Sequence, residues 1–287
     1  MGRALGARHA AARRPLSPPL PPEAPPPPPR RFATQGFERY LRGLFQKHFT
    51  AVHWGPARLV PGTPAAQPIL FVANHTNWWD GFIAYLVATR MGLHVHVLME
   101  AVNLDRYWMF KLVGALPVRR NSAPAAYADL AQAARHLRRP VTGMWIFPQG
   151  TRSSPDAPIH QTERGAAHLA LSLGQPVTIW PVAFRYRYLG EQLPEAFAWL
   201  GEAWEVDGGA APHDGLGPAF KRSRRALALE IERRLQLTVD QLDQRLATES
   251  LEELEVLIPG RLSVNKRLDR VRHALGFLRG PFERRNG

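Results

Sequence analysis

Cysteine is absent from the chain, which excludes disulfides, thiolate metal sites and a cysteine nucleophile. Long apolar runs are missing as well. The cleanest, Ile69 to Ala73 and Ile83 to Ala88, fall far short of the ~20 residues needed to cross a bilayer as a helix. Acids are scarce, with 24 Asp and Glu against 37 Lys and Arg and a formal net charge of +13. Such an excess suits nucleic acid, an anionic membrane surface, or acidic substrates such as phosphates, coenzyme A or acyl carrier protein. What is present is a chain of 287 residues, 45% hydrophobic, enough for one large domain or two small ones.

The cations concentrate at the ends. Residues 1–31 carry Arg3, Arg8, Arg13, Arg14, Arg30 and Arg31 against Glu23, and they include the run Pro25 to Pro29. Such a segment buries little, so a disordered tail with a stiff polyproline stretch is expected there. It lacks the apolar core of a signal peptide. A domain is expected over residues 32–215. It opens with an amphipathic helix over 36–49, where Phe37, Tyr40, Leu41, Leu44 and Phe45 recur at 3–4-residue spacing. Two uses fit that helix: a cap on the domain, or an interfacial element in a lipid headgroup layer.

Beyond it, short apolar runs alternate with helical patterns. Strands are expected at Ile69–Ala73, His94–Met99, Gly143–Phe147 and Val177–Phe184. Helices are expected at Asp80–Arg90, Asp105–Val113, Ala123–Leu137 and Arg164–Leu173. The alternation predicts an α/β fold, a largely parallel sheet flanked by helices. Residues 216–287 read as a basic helical extension, with helices at Ala219–Leu235 and Val239–Leu257 and a basic amphipathic stretch at Val264–Phe282.

Two loops carry chemistry. The first follows the strand Ile69–Ala73 and reads Asn74, His75, Thr76, Asn77, Trp78, Trp79, Asp80, Gly81. A polar loop after a buried strand lies at the carboxyl edge of the sheet, where α/β proteins place ligands. Asp80, at the start of a helix, can fold back onto one imidazole nitrogen of His75 and leave the other free as a base. A plain helix N-cap is the other use for Asp80. The second loop, Phe147, Pro148, Gln149, Gly150, Thr151, Arg152, Ser153, joins turn residues to a guanidinium that suits a phosphate. A third segment, Gly114 to Arg120, ends in two cations, and a fourth, Val177 to Ala183, centres on Pro181.

In this order the segments resemble one family, the lysophosphatidic acid and glycerol-phosphate acyltransferases. The family's N-H-x-x-x-x-D block is matched by Asn74, His75 and Asp80. Its F-P-E-G-T-R-S block is matched at six of seven positions from Phe147 to Ser153. Gly114 to Arg120 and Val177 to Ala183 resemble its second and fourth blocks. The resemblance covers residues 37–210 and implies a glycerolipid acyltransferase-like fold with a His75–Asp80 general-base dyad. The acyl group would pass from acyl-CoA or acyl carrier protein to the hydroxyl of a lysophospholipid, first of all 1-acyl-glycerol-3-phosphate, giving phosphatidic acid.

By the same resemblance, substrate contacts fall to Asn74, Arg119, Arg120, Gln149, Gly150, Thr151, Arg152 and Pro181, with Arg152 and Arg120 or Arg119 on the acceptor's phosphate. No cofactor and no metal are expected, the acyl thioester being a cosubstrate. The expected partners are this donor, the hydroxyl lipid and a membrane surface, with the protein peripheral on the cytoplasmic face. Two positions depart from the family. Gln149 replaces its glutamate, and Glu163, in Thr162-Glu163-Arg164-Gly165, stands where F-K-x-G has a cation. Both bear on the acceptor, so a different hydroxyl lipid, such as a glycolipid, an isoprenoid alcohol or another lysolipid, is the alternative.

Other readings are weaker. A basic nucleic-acid-binding or membrane-coating protein fits the ends, but no nucleic-acid-binding motif accompanies them. No G-x-S-x-G elbow supports a serine hydrolase. His94 and His96 lack a third metal ligand. Trp78 and Trp79, within the dyad loop, are core anchors or the wall of an acyl tunnel.

Overall fold

The computed structural model describes residues 31–56, 67–160, 162–208 and 218–260. Among them lies a sheet of nine strands, ordered β4-β3-β5-β2-β6-β7-β1-β9, with β8 paired to β6. In chain order these are β1 (Ala51–Gly55), β2 (Ile69–Ala73), β3 (His94–Glu100), β4 (Ala115–Val118), β5 (Thr142–Ile146), β6 (Val177–Arg187), β7 (Glu195–Leu200), β8 (Trp204–Val206) and β9 (Glu255–Pro259). The ladders joining β4, β3, β5, β2 and β6 are all parallel, as is the β1–β7 ladder. Antiparallel pairing joins β6 to β7 and β8, and β1 to β9. The expected fold class holds.

Helices cover both faces, as a mostly parallel sheet requires. One face carries α1 (Arg31–His48) and α2 (Asp80–Arg90), packed on Phe71, Trp145 and Trp180. The other carries α4 (Ala123–Leu137), α5 (Gly165–Leu171) and the first half of α6 (Pro218–Ala247), packed on Leu70, Val72 and Met144. Leu70, Phe71 and Val72 thus alternate between two cores, which is why β2 reads as an unbroken apolar run, buried throughout. Strand β6 accommodates Pro181 because that residue sits where the neighbouring strand changes from β8 to β7. The Pro181 carbonyl accepts from Gly201 N at 2.9 Å on that side. The missing N–H therefore faces the junction and removes nothing from the ladder with β2.

The structure corrects several expectations. Asp105–Val113 is not one helix. A short α3 (Ala101–Arg106) stops at Tyr107, and a 3-10 helix runs from Trp108 to Val113. The tighter turn brings Phe110 against Phe37 and Phe82, with ring centroids at 6.3 and 5.7 Å. Gly114 ends it at φ 103°, and its missing side chain lets Val95 approach, since a Cβ there would overlap the Val95 carbonyl oxygen. The two C-terminal helices are one, α6. Leu235, Val239, Leu242 and Leu246 continue a single buried stripe across the expected break. Residues 255–257, expected as the end of the second helix, instead begin the strand β9, in which Ile258 is buried. Strands β1, β4, β7 and β8 were not expected. Of the expected tail 1–31, Arg31 belongs to α1, which starts ahead of the expected 36–49 and ends at His48. The rest of that tail and the stretch Val264–Phe282 lie outside the described residues.

The apolar face of α1 is closed against the domain, with Leu41 and Phe45 fully buried. Of its two expected uses, the structure shows the cap.

Candidate active site

A cleft of about 1110 Å³ opens over the carboxyl ends of β3, β4 and β5 and beside the loop that leaves β2. Its wall includes His75, Trp78, Phe147, Gly150, Thr151 and Arg152. One side is aromatic, built from Phe37, Phe82, Tyr85 and Phe110. Arg106, Arg120, Arg152, Arg164 and Arg224 supply cations.

Asp80 organises the dyad. Its carboxylate is fully buried, and four donors converge on it. Oδ2 accepts from His75 Nδ1 at 2.9 Å and from the backbone amides of Thr76 and Asn77 at 2.8 Å each. Oδ1 accepts from the Tyr186 hydroxyl at 2.6 Å. Burial, then the charge of Asp80, holds the Tyr186 phenol well above its ordinary pKa, so it remains a donor. With a carboxylate on Nδ1, the proton belongs on that nitrogen and Nε2 is left with its lone pair. The His75 ring packs on Phe147 at 4.6 Å and its side chain keeps 25% exposure. The result is a fixed imidazole of one tautomer, open to a cleft.

A second set of bonds locks the two loops together. Gln149 Oε1 accepts from His75 N at 2.7 Å, while Gln149 Nε2 donates to Ser153 Oγ at 2.6 Å. Ser153 N donates to the His75 carbonyl at 2.9 Å. The amide of Gln149 is thus engaged within the protein. Gly150 turns the loop at φ 71°, and its bare Cα is covered by Glu163 and Arg120.

The remaining expected contacts divide. Arg152 and Thr151 are exposed on the cleft wall, and Arg152 has no ion-pair or hydrogen-bond partner among the described residues. Arg120 also lines the cleft, but it donates to the Gly150 carbonyl at 2.7 Å and is ion-paired with Glu163. Arg119 is not on the cleft wall. It grips Asp129 through Nε and Nη2 at 2.9 and 2.7 Å, and its hydrogen bonding holds that carboxyl below the usual range. Asn74 is fully buried and exchanges two hydrogen bonds with the backbone of Phe184, at 3.1 and 2.7 Å. It fastens β2 to β6 rather than facing ligand. Pro181 is buried within β6, away from the cleft wall.

Trp79 is a core residue, wedged between Phe45 and Phe49 at 5.0 Å each, whereas Trp78 stands 48% exposed on the cleft wall. His96 is buried and bonded to the Gly114 carbonyl at 3.1 Å. Tyr186 and Arg224 also belong to the site's surroundings, Tyr186 on Asp80 and Arg224 on the cleft wall. Both reach the site from distant elements, and no local pattern marks them.

The topology brings the His75–Asp80 pair and the arginine-bearing loop together at the carboxyl edge of an α/β sheet. Residues 60–185 match the profile of the family described as Acyltransferase. It is 28% identical over 111 residues to the 1-acyl-sn-glycerol-3-phosphate acyltransferase of Escherichia coli (strain K12), covering 38% of this chain and 44% of that relative. The enzymes of the same name from Salmonella typhimurium and Salmonella typhi match to the same extent. The matched segment is thus less than half the length of these relatives.

Proposed function

We propose that the chain is an O-acyltransferase that moves a fatty acyl group from a thioester to the hydroxyl of a lysophospholipid, with 1-acyl-glycerol-3-phosphate as the first candidate. The observation that carries this reading is the His75–Asp80 pair, bonded at 2.9 Å beneath an open cleft. His75 Nε2 removes the proton of the acceptor hydroxyl as its oxygen attacks the thioester carbonyl. The tetrahedral adduct collapses, the carbon–sulfur bond breaks, and the imidazolium returns the proton to the departing thiolate. Buried Asp80 stabilises the imidazolium and Tyr186 holds Asp80 in place. The route needs only these residues and the two substrates, with coenzyme A or acyl carrier protein carrying the acyl group.

The relatives' names and Arg152 support a phosphate-bearing acceptor. The alternative, a different hydroxyl lipid, is favoured by one observation, the pairing of Glu163 with Arg120, which neutralises a cation the acceptor's phosphate would use. Association with the cytoplasmic face of a membrane is part of the proposal. Its support is the exposed Val102, Trp108, Met109 and Leu112, which share a segment with the cleft-lining Tyr107 and Phe110.

Mass spectrometry of the lipid products tests the reading. With acyl-CoA or acyl carrier protein as donor, 1-acyl-glycerol-3-phosphate should become phosphatidic acid, and Arg152→Ala should slow this more than acylation of a neutral monoacylglycerol. Absence of acceptor-dependent product with both donors and a panel of hydroxyl lipids would refute it.

A further inference from the structure

Helix α6 lies beyond the segment that matches the family profile, yet it contributes Arg224 to the cleft wall. That side chain is only 7% exposed. One terminal nitrogen donates to the Tyr127 hydroxyl at 2.7 Å, and the guanidinium lies 5.6 Å from the centre of the same ring. Nε is buried with no partner.

Among the described residues, no carboxylate pairs with Arg224. Other arginines around the sheet are paired: Arg119 with Asp129, Arg120 with Glu163, Arg185 with Asp243 and Arg245 with Glu253. The titratable neighbour of Arg224 is His168, whose ring lies 4.5 Å from Tyr127. Burial, then the charge of Arg224, pushes that imidazole down to about 4, so at neutral pH it adds no charge. Its Nδ1 is also buried without a partner. A guanidinium held out of water without a counter-charge is costly to the empty protein, and an arriving anion offsets the cost.

We propose that Arg224, with the Tyr127 hydroxyl beside it, seats a phosphate monoester carried by a substrate of this cleft. Arg224 offers its charge and the unused Nε–H, and Tyr127, which already accepts from Arg224, has its own proton to donate. The proposal rests on the reading of the cleft as a site for phosphate-bearing lipid and thioester. It differs in placing phosphate recognition on the C-terminal helix, outside the two motif loops. Two substrates of that reading carry such a phosphate. One is the acceptor, at its headgroup, and the other is the donor, at the ribose of coenzyme A.

Equilibrium binding to the full chain, without turnover, tests the proposal and tells the sources apart. Short-chain lysophosphatidate is compared with the matching monoacylglycerol, and coenzyme A with dephospho-coenzyme A. Wild type should prefer the phosphorylated member of at least one pair. Arg224→Met should weaken binding of that member tenfold or more and leave its dephosphorylated counterpart within twofold. The affected pair names the source. The melting temperature of Arg224→Met should equal or exceed that of wild type, because an uncompensated charge has gone, whereas a merely structural arginine would lower it. Tyr127→Phe, which keeps the ring, should weaken the same ligand severalfold, and it decides the matter if Arg224→Met does not fold. Unchanged phosphate preference in the variants would overturn the seat alone. A wild type that distinguishes neither pair would overturn the reading of the cleft and the seat with it.

Discussion

Asp80 shows how much a single side chain can fix. Its carboxylate ends a backbone turn through two amides, orients His75 and receives Tyr186. Of the alternatives left open by the sequence, only base orientation is served: the cap position of α2 falls to Trp79 with no side-chain cap, and Asp80 takes the amides of Thr76 and Asn77, which precede the helix. Glu163 shows the reverse, a residue whose charge opposes the expected chemistry by occupying Arg120. Glu163→Gln removes that charge, so kcat/KM for phosphate-bearing acceptors should rise severalfold relative to neutral ones. Steady-state kinetics on both acceptor types checks this, and an unchanged ratio would mean Arg120 takes no part in acceptor choice. The dyad and the Phe147–Ser153 loop were legible because each is a contiguous motif. Tyr186 and Arg224 were not, since the sequence separates them widely from Asp80 and Tyr127. Arg119 misled for the same reason, as its partner Asp129 lies a helix away.

At the scale of elements, central strands and helices with strong periodicity were readable. Strand β2 and helices α2 and α4 occupy the expected residues. Short strands such as β4 and β8 were not, because so few residues establish no period and only their neighbours in the sheet define them. Helix α6 runs without a break through residues 236–238, between the two expected helices. In the structure Thr238 is buried and bonds to the Arg234 carbonyl at 2.8 Å, close against Gly201 at the end of β7. A side chain at Gly201 would collide with Thr238 and Pro181. Gly201→Ala should therefore destabilise the fold by about 1–3 kcal/mol, measured by urea denaturation. No change would show that α6 is not held tightly to the sheet.

For the whole molecule, pH is the simplest lever. Burial holds His96 at about 4 and His168 at about 4, against an ordinary 6.5. Neutral imidazoles in the folded state compete with protonated ones in the unfolded chain, so the unfolded chain binds more protons between these values. Stability should fall as pH drops from about 6.5 towards 4, by roughly 3 kcal/mol from His96 once the pH is below both values. Denaturation midpoints across that range check this, and His96→Phe should flatten the slope. A net charge of +13 suits an anionic partner, but composition has no means of showing which cations face a ligand. Pairing narrows the choice: in the cleft wall Glu163 occupies Arg120, whereas Arg106, Arg152, Arg164 and Arg224 have no carboxylate partner among the described residues. The central claim is that His75 is the base. Thiol release from palmitoyl-CoA, with and without lysophosphatidate, should be acceptor-dependent in wild type and about 10²–10⁴-fold slower in a folded His75→Ala variant. Release within tenfold of wild type in that variant would contradict the account.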